Sequence, residues 1–223
     1  MPSALALRAR TPAQVFESLR ARIIALELAP GTVLDRSRLQ SDSGLSSTPI
    51  RDVLLRLADE GLVDIVPQSA TRVSRISVAK ARQAQFLRRA VEVEAVRVLC
   101  EAPDKAFLDE LRDLVERQKA AGEDYEAFSV LDRDFHRRLY EAAGAPDLHG
   151  LIRQHSGHID RIRRLNLPVA GKIQQILRDH AQIVKAIASG DATEAEFRVR
   201  DHLSRSLAYS SALRERHPDF FVD

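Results

Sequence analysis

The residues of this 223-residue chain best suited to chemistry are one aspartate and three histidines in its second half: Asp132, His136, His180 and His202. Asp132 and His136 are four apart, so on a helix they project from one face. His180 lies ten residues before Gly190, and His202 lies twelve after it. If the segments flanking that glycine form an antiparallel helical hairpin, both imidazoles stand ~15–18 Å from the turn, at 1.5 Å of rise per residue. They would then face each other at similar heights. One carboxylate and three imidazoles on helices suit a divalent ion such as Zn²⁺, Ni²⁺ or Mn²⁺. Each residue also has an ordinary reading. An Asp-x-x-x-His pair is common on solvated helices, and a lone helical histidine is usually a surface or satisfied core residue. Spacing alone leaves both readings open.

A second constellation lies near the front. Gly44-Leu45-Ser46-Ser47-Thr48-Pro49-Ile50-Arg51-Asp52 sets a glycine turn before hydroxyl residues able to cap a helix, with Pro49 in its first turn. Ile50, Val53, Leu54 and Leu57 form an apolar stripe, whereas Ser47, Thr48 and Arg51 share another face near the helix start. A recognition helix presents its N-terminal residues to the major groove in this way. Residues 1–76 carry ten arginines, no lysine and eight acids, while residues 77–223 carry 24 basic and 24 acidic residues. The cationic surplus is therefore frontal and made of arginine, the side chain shaped for phosphate and guanine edges. Arg36, Arg38, Ser46, Ser47, Thr48, Arg51, Gln68 and Arg72 are the candidate contacts to double-stranded DNA.

The elements that must hold these residues can be read from punctuation and periodicity. Thr11-Pro12-Ala13-Gln14 is a capping box with proline at the first helical position, followed by Val15, Leu19, Ile23 and Leu26 at helical spacing. A short helix runs from about Arg36 to Ser43 and stops at Gly44. Val63–Val66 and Thr71–Val73 flank the turn Pro67-Gln68-Ser69-Ala70 and read as a hairpin, the wing. A small helical bundle with an incidental hairpin is the competing arrangement. Ser74 to Ser77 reads as a linker, dividing residues 1–76 from 77–223. Six helices are expected beyond it, at about 78–101, 104–121, 125–143, 146–165, 171–189 and 191–214. The fold class is therefore mainly α: an N-terminal winged helix-turn-helix followed by a C-terminal all-α helical bundle.

Composition agrees. Hydrophobic residues make up 44% and charged residues 30%, enough to bury cores and too balanced for a disordered chain. Aromatics are 5% and tryptophan is absent, so aliphatic residues must fill those cores, which favours helices. The single cysteine, Cys100, follows Val96 and Leu99 and reads as a small core residue. It allows no internal disulfide and suits a reducing cytoplasm. No window approaches the ~18 apolar residues of a membrane span. A cytoplasmic protein without membrane contact is expected.

Glu27-Leu28-Ala29-Pro30-Gly31-Thr32-Val33-Leu34, the run Gly44 to Asp52, and Leu57 to Val63 closely resemble the GntR family of bacterial regulators over about residues 12–75. The Ser-x-Thr-Pro-x-Arg core carries most of that likeness. It implies DNA contact by Ser46, Thr48 and Arg51, with the wing in the adjacent minor groove. The family usually has arginine where Ser47 stands, often arginine at Ser37, and glycine at Ala70; Arg36 and Arg38 flank Ser37 and can compensate. Leu87-Arg88-Arg89-Ala90-Val91-Glu92, Asp132-x-x-Phe135-His136, Asp179-His180, Gly190-Asp191 and Asp201-His202-Leu203 resemble the FCD effector domain of FadR-type members, over most of residues 78–216.

Many such domains hold a metal with one aspartate and three histidines, and the resemblance places those ligands at Asp132, His136, His180 and His202. The ion leaves positions open for a small organic acid. Arg88 is a candidate partner for its carboxylate, with a bridge to Glu92 one turn away as the alternative. His158 and Arg161, with Arg163 and Arg164, are candidates to line the same pocket; a helix so rich in arginine can equally be a solvated face or a dimer edge. A homodimer on a palindromic operator is expected, with the acid acting through the short linker to release DNA. A different class of function competes. An open Asp/His₃ centre can activate water, making a metal-dependent hydrolase or lyase with an accessory DNA-binding domain. Such a site also needs a general acid or base, and no acidic residue presents itself for that role, although Glu92 or Asp179 could in principle lie close. A purely structural metal is a third reading.

Overall fold

The computed structural model describes residues 10–66 and 70–222. Helix α1 (Pro12–Ile24) opens on the expected capping box: the Gln14 amide donates to Thr11 Oγ1 at 3.2 Å, and the Thr11 amide donates to Gln14 Oε1 at 2.8 Å. Two first-turn donors are thereby satisfied. Val15, Phe16, Leu19 and Ile23 are buried. Leu26, expected to extend that stripe, lies past the helix end with φ of 64° and is half-buried. Helix α2 (Arg36–Ser43) is capped by Asp35 and ends at Gly44, whose φ of 72° is left-handed and costs glycine no Cβ clash. Helix α3 (Ser47–Asp59) packs Ile50, Val53, Leu54 and Leu57 against α1 and α2.

Strands β1 (Val63–Ile65) and β2 (Thr71–Val73) pair antiparallel, with Val63 opposite Val73 and Ile65 opposite Thr71. Val33 adds an antiparallel bridge to Arg72. Leu62, Val63 and Val73 share one buried cluster with α1 and α3, so the hairpin is part of this domain's core and not an incidental turn. Gln68, at the tip, lies outside the described residues.

The second domain contains α4 (Val78–Glu101), α5 (Lys105–Ala121), α6 (Tyr125–Ala142), α7 (Leu148–His155), α8 (Gly157–Asn166), α9 (Lys172–Ala188), α10 (Ala192–Ser204) and α11 (Ser210–Arg216), then a 3₁₀ turn at Pro218–Phe220. Ser77, Asp104, Asp124 and Asp191 each accept from an amide in the first turn they cap. Val96, Leu111, Phe135, Leu139, Ile183, Ile187 and Val199 form the main core among α4, α5, α6, α9 and α10. Gly190 (φ of 70°) turns α9 into α10, and α10 lies along α4.

Two of the six expected helices are broken. The segment 146–165 divides at Ser156 into α7 and α8. The Ser156 amide closes α7 on the Arg153 carbonyl at 3.3 Å, and its hydroxyl donates to Asp160 at 2.5 Å in the first turn of α8. A Cβ on Gly157 would lie 2.6 Å from Leu62 Cδ2, so the break lets the base of the wing lie against α8. The segment 191–214 divides into α10 and α11. There the Leu203 carbonyl accepts from the Ser206 amide at 3.2 Å and from Gln85 of α4 at 2.7 Å, a tightened turn held by a residue far away in sequence.

The segment Ser74–Ser77 is short, as expected, and is also fastened along its length. Ser74 Oγ donates to the Gly61 carbonyl at 2.6 Å, and Arg161 donates to the Ser74 carbonyl at 2.6 Å. Ile76, fully buried, pairs with the C-terminal tail: its amide donates to Phe220 at 2.7 Å, and its carbonyl accepts from Val222 at 3.0 Å. The Ser77 amide donates to His158 Nδ1 at 3.1 Å. Among the described residues no helix is long and apolar enough to cross a membrane.

Candidate metal centre and nucleic-acid interface

Asp132 and His136 project from α6, His180 from α9 and His202 from α10. One nitrogen from each imidazole lies within 4.8 Å of the others. Asp132 Oδ1 is 3.7 Å from His180 Nε2. All four side chains are buried, and His136 Nε2, His180 Nε2 and Asp132 Oδ1 have no hydrogen-bond partner. One orphaned buried polar atom is costly. Two imidazole nitrogens and a carboxylate oxygen left bare in one buried group are a donor set that would suit a cation.

The other nitrogen of each ring is held. His136 Nδ1 donates to Glu92 Oε2 at 2.9 Å, His180 Nδ1 donates to Gln118 Oε1 at 2.9 Å, and His202 Nδ1 lies 3.4 Å from Asp179 Oδ2. Fixing the proton on Nδ1 leaves a bare lone pair on Nε2, the arrangement that metal-binding histidines use. Phe135 stacks on His180 at 4.0 Å and fixes its plane.

The electrostatics agree with this chemistry. Burial, with Arg88 nearby, pushes His136 down to about 4; burial, with His202, pushes His180 well below the ordinary imidazole value. Burial alone would raise Asp132, but Arg163, His136 and His180 outweigh it and hold the carboxyl well below its usual range. Neutral imidazoles and an ionised carboxylate are the protonation states a metal requires.

Behind this centre stands Glu92, fully buried on α4. It accepts from Arg88 at 2.5 Å, from Tyr140 at 2.7 Å and from His136. Burial would raise its pKa, yet Arg88 and His136 keep it ionised. Arg88 thus takes the bridge to Glu92 in place of a free guanidinium, although it also lines a small cavity beside His136 and Tyr140. Glu92, Asp179 and Gln118 as orienting partners were missed at the level of sequence. An Arg-x-x-x-Glu spacing pointed to the Arg88–Glu92 bridge, but nothing links Gln118 or Glu92 to histidines dozens of residues away.

The larger cavity, about 210 Å³, is lined by Asp132, Asp179 and His202 together with Arg133, Arg163, Arg164 and Lys172. His158 and Arg161, expected to line it, are not there. They turn to the opposite side of α8 and hold the linker: Arg161 bonds Ser74 and the Gly157 carbonyl, and His158 Nδ1 accepts from Ser77 and Arg161. Burial and then Arg161 push His158 down to about 3, and burial lowers Arg161 to about 10. Arg163 is the arginine of this helix that reaches the centre, through an ion pair with Asp132.

On the DNA-reading domain, Ser46, Ser47, Thr48 and Arg51 are exposed at the start of α3, and Ser46 stands at the N-cap with no capping hydrogen bond. Its hydroxyl and the first-turn amides are left for an external acceptor. Arg36 donates to Thr71 Oγ1 at 3.2 Å, tying α2 to the wing, and Arg72 donates to the Gly31 carbonyl at 3.3 Å. Arg38 is exposed, 3.6 Å from Asp42.

Comparison with known proteins matches both halves. Residues 11–73 fit the pattern described as bacterial regulatory proteins of the gntR family, and residues 83–205 fit the FCD domain. An uncharacterized HTH-type transcriptional regulator of Streptomyces ambofaciens is 35% identical over 93% of this chain and 88% of its own. The HTH-type transcriptional repressor RspR of Escherichia coli is 27% identical over 94% of this chain and 93% of its own. The solved structure of E. coli McbR/YncC shares the fold, with a TM-score of 0.76 at 21% identity, covering 91% of this chain and 97% of that one. These relatives are regulators, which leaves the hydrolase or lyase reading without support; Glu92 and Asp179, the acids that could have lain close, are engaged with His136 and His202. The chain belongs to the GntR family of DNA-binding transcriptional regulators, in the FadR-type branch that carries an FCD domain.

Proposed function

We propose that residues 77–223 bind a divalent ion (Zn²⁺, Ni²⁺ or Mn²⁺) through Asp132, His136, His180 and His202, and that a small carboxylate bound beside it sets the operator affinity of residues 1–76. The observation that carries this reading is a group of three buried imidazoles with one nitrogen each within 4.8 Å of the others, two of those rings having an unpartnered Nε2 and a held Nδ1, with the unpartnered Asp132 Oδ1 beside them. A bound ion supplies positive charge and a place for a carboxylate. Asp132, kept ionised by Arg163, supplies the one anionic ligand, and Phe135 and Glu92 hold two of the rings in place.

Ser46, Ser47, Thr48 and Arg51 read the operator from the start of α3, with Arg36, Arg38 and Arg72 on its flanks. One helix-turn-helix reads few base pairs, so the working unit is a homodimer on a palindromic site. Since the similar RspR is named a repressor, repression relieved by the acid is the direction we assign.

Metal titration of the full chain at neutral pH tests the centre. The wild type takes up one equivalent, and His180→Ala lowers both metal content and melting temperature, because an ion that binds the native state stabilises it. A wild type that binds none of the three metals ends the metal reading. Arg51→Ala tests the reading head and should lose about 1–3 kcal/mol of specific operator binding.

A further inference from the structure

The 210 Å³ cavity beside the metal centre has a wall that the effector domain does not supply. Glu17, Arg20, Ala21 and Ile24 of α1 and Ala25 at its C-cap, in the DNA-reading domain, complete it. That wall is held by two ties to α7. Arg20, buried, donates to the Arg153 carbonyl at 2.7 Å and pairs with Glu60 at 2.6 Å, while Glu17 pairs with Arg153 itself. Small and apolar residues, Ala21, Ala25 and Ile24, leave the space between the ties open.

The effector-domain wall carries five basic and four acidic side chains, an excess of one cation. Arg164 Nη1 is buried without a hydrogen-bond partner, and Lys172 is buried with no carboxylate paired to it among the described residues. Both lie instead near aromatic rings, Arg164 at 5.8 Å from Tyr125 and Lys172 at 5.9 Å from Tyr209. Two sheltered cations with no ion pair at bonding distance among the described residues favour an anionic occupant. The volume lies below the ~300–1,000 Å³ of drug-sized sites, so it suits an acid of a few carbons and not an acyl chain.

We propose that α1 of the DNA-reading domain is part of the ligand site: a small dicarboxylate lies with one end at the metal centre, the other at Arg164 and Lys172, and its body against Ala21, Ile24 and Ala25. This rests on the reading of the centre as an acid site. Its consequence is that the ligand meets this wall only while the reading head is docked on the effector domain. By linkage, whatever displaces α1 weakens the ligand by the factor with which the ligand stabilises docking. The signal then has a direct route, from ligand to α1, in addition to the linker.

The test uses the full chain loaded with Zn²⁺ and malate, a short hydroxylated dicarboxylate, as the probe in calorimetric titration. Ala21→Trp fills the cavity from an exposed position on α1, and Ala13→Trp places the same side chain on the same helix away from the cavity. The expected result is malate binding weakened about tenfold or more by Ala21→Trp, with unchanged zinc content, and left at the wild-type level by Ala13→Trp. Equal malate affinity in the wild type and both variants overturns the role of α1 and leaves the acid site standing. A zinc-loaded wild type that binds no malate overturns the acid reading, and this inference falls with it.

Discussion

At the scale of single residues, the candidate centre is backed by one carboxylate that is not itself among the proposed ligands. Glu92 accepts from Arg88, Tyr140 and His136 in a fully buried position, so it balances a buried guanidinium and sets a histidine tautomer together. Glu92→Gln keeps the volume and removes the charge. Arg88 would then be an uncompensated buried cation, at a cost of about 3–5 kcal/mol, and zinc affinity should fall about 10–100-fold because His136 loses its anionic partner. Denaturant unfolding and zinc titration measure the two effects; wild-type zinc affinity in the variant would remove Glu92 from the centre. The grouping of Asp132, His136, His180 and His202 was open to the sequence: spacing allowed it, and the resemblance to FCD domains implied it. Their partners were not. Glu92 and His136 are 44 residues apart, and only packing of α4 on α6 brings them together.

At the scale of elements, α8 is where the sequence reading and the structure part, and the break is at Ser156. Treated as one helix, 146–165 puts His158, Arg161, Arg163 and Arg164 on a single arginine-rich rod facing one pocket or solvent. Within α8 itself, His158 and Arg161 are three apart and face the linker, while Arg163, two residues further on, faces Asp132. The signal for a break, Ser-Gly within a helical pattern, was present, but its reason is Leu62, nearly a hundred residues earlier. Caps and turns fared better, since Thr11, Gly44 and Asp191 act on neighbours three or four residues away. Gly157→Ala is the corresponding experiment. An alanine at the first position of α8 gains little helix propensity, and its Cβ would meet Leu62 Cδ2 at 2.6 Å within the domain interface. Overpacking of about 1–3 kcal/mol should lower the melting temperature by roughly 2–10 °C for a chain of this size. A melting temperature equal to or above the wild type would mean that Leu62 yields freely and the wing does not rest on that glycine.

At the scale of the whole molecule, α8 bridges the two functions. Arg163 on one side pairs with Asp132 of the centre; Arg161 on the other side bonds the carbonyl and hydroxyl of Ser74, where the wing's strand leaves the reading head. A ligand shifts DNA affinity only if it interacts differently with the DNA-competent and incompetent arrangements, and this helix is positioned to make that difference. The linker adds no slack, because Ile76 is paired with the tail and Ser77 is held by His158. Arg161→Gln removes the charged end of the connection without touching a metal ligand or a cavity residue. Operator affinity should change about 5–150-fold between metal-free and zinc-plus-malate wild type, the range of a coupling of about 1–3 kcal/mol. In Arg161→Gln that ratio should fall to what α1 transmits through the cavity wall, while zinc content stays at the wild-type level. Lengthening Ser74–Ser77 with a flexible insert should reduce it too, leaving only what α1 transmits through the cavity wall. If the wild-type ratio is one, the domains are not coupled. If Arg161→Gln keeps the full ratio, α8 is a scaffold for the centre and the signal passes elsewhere.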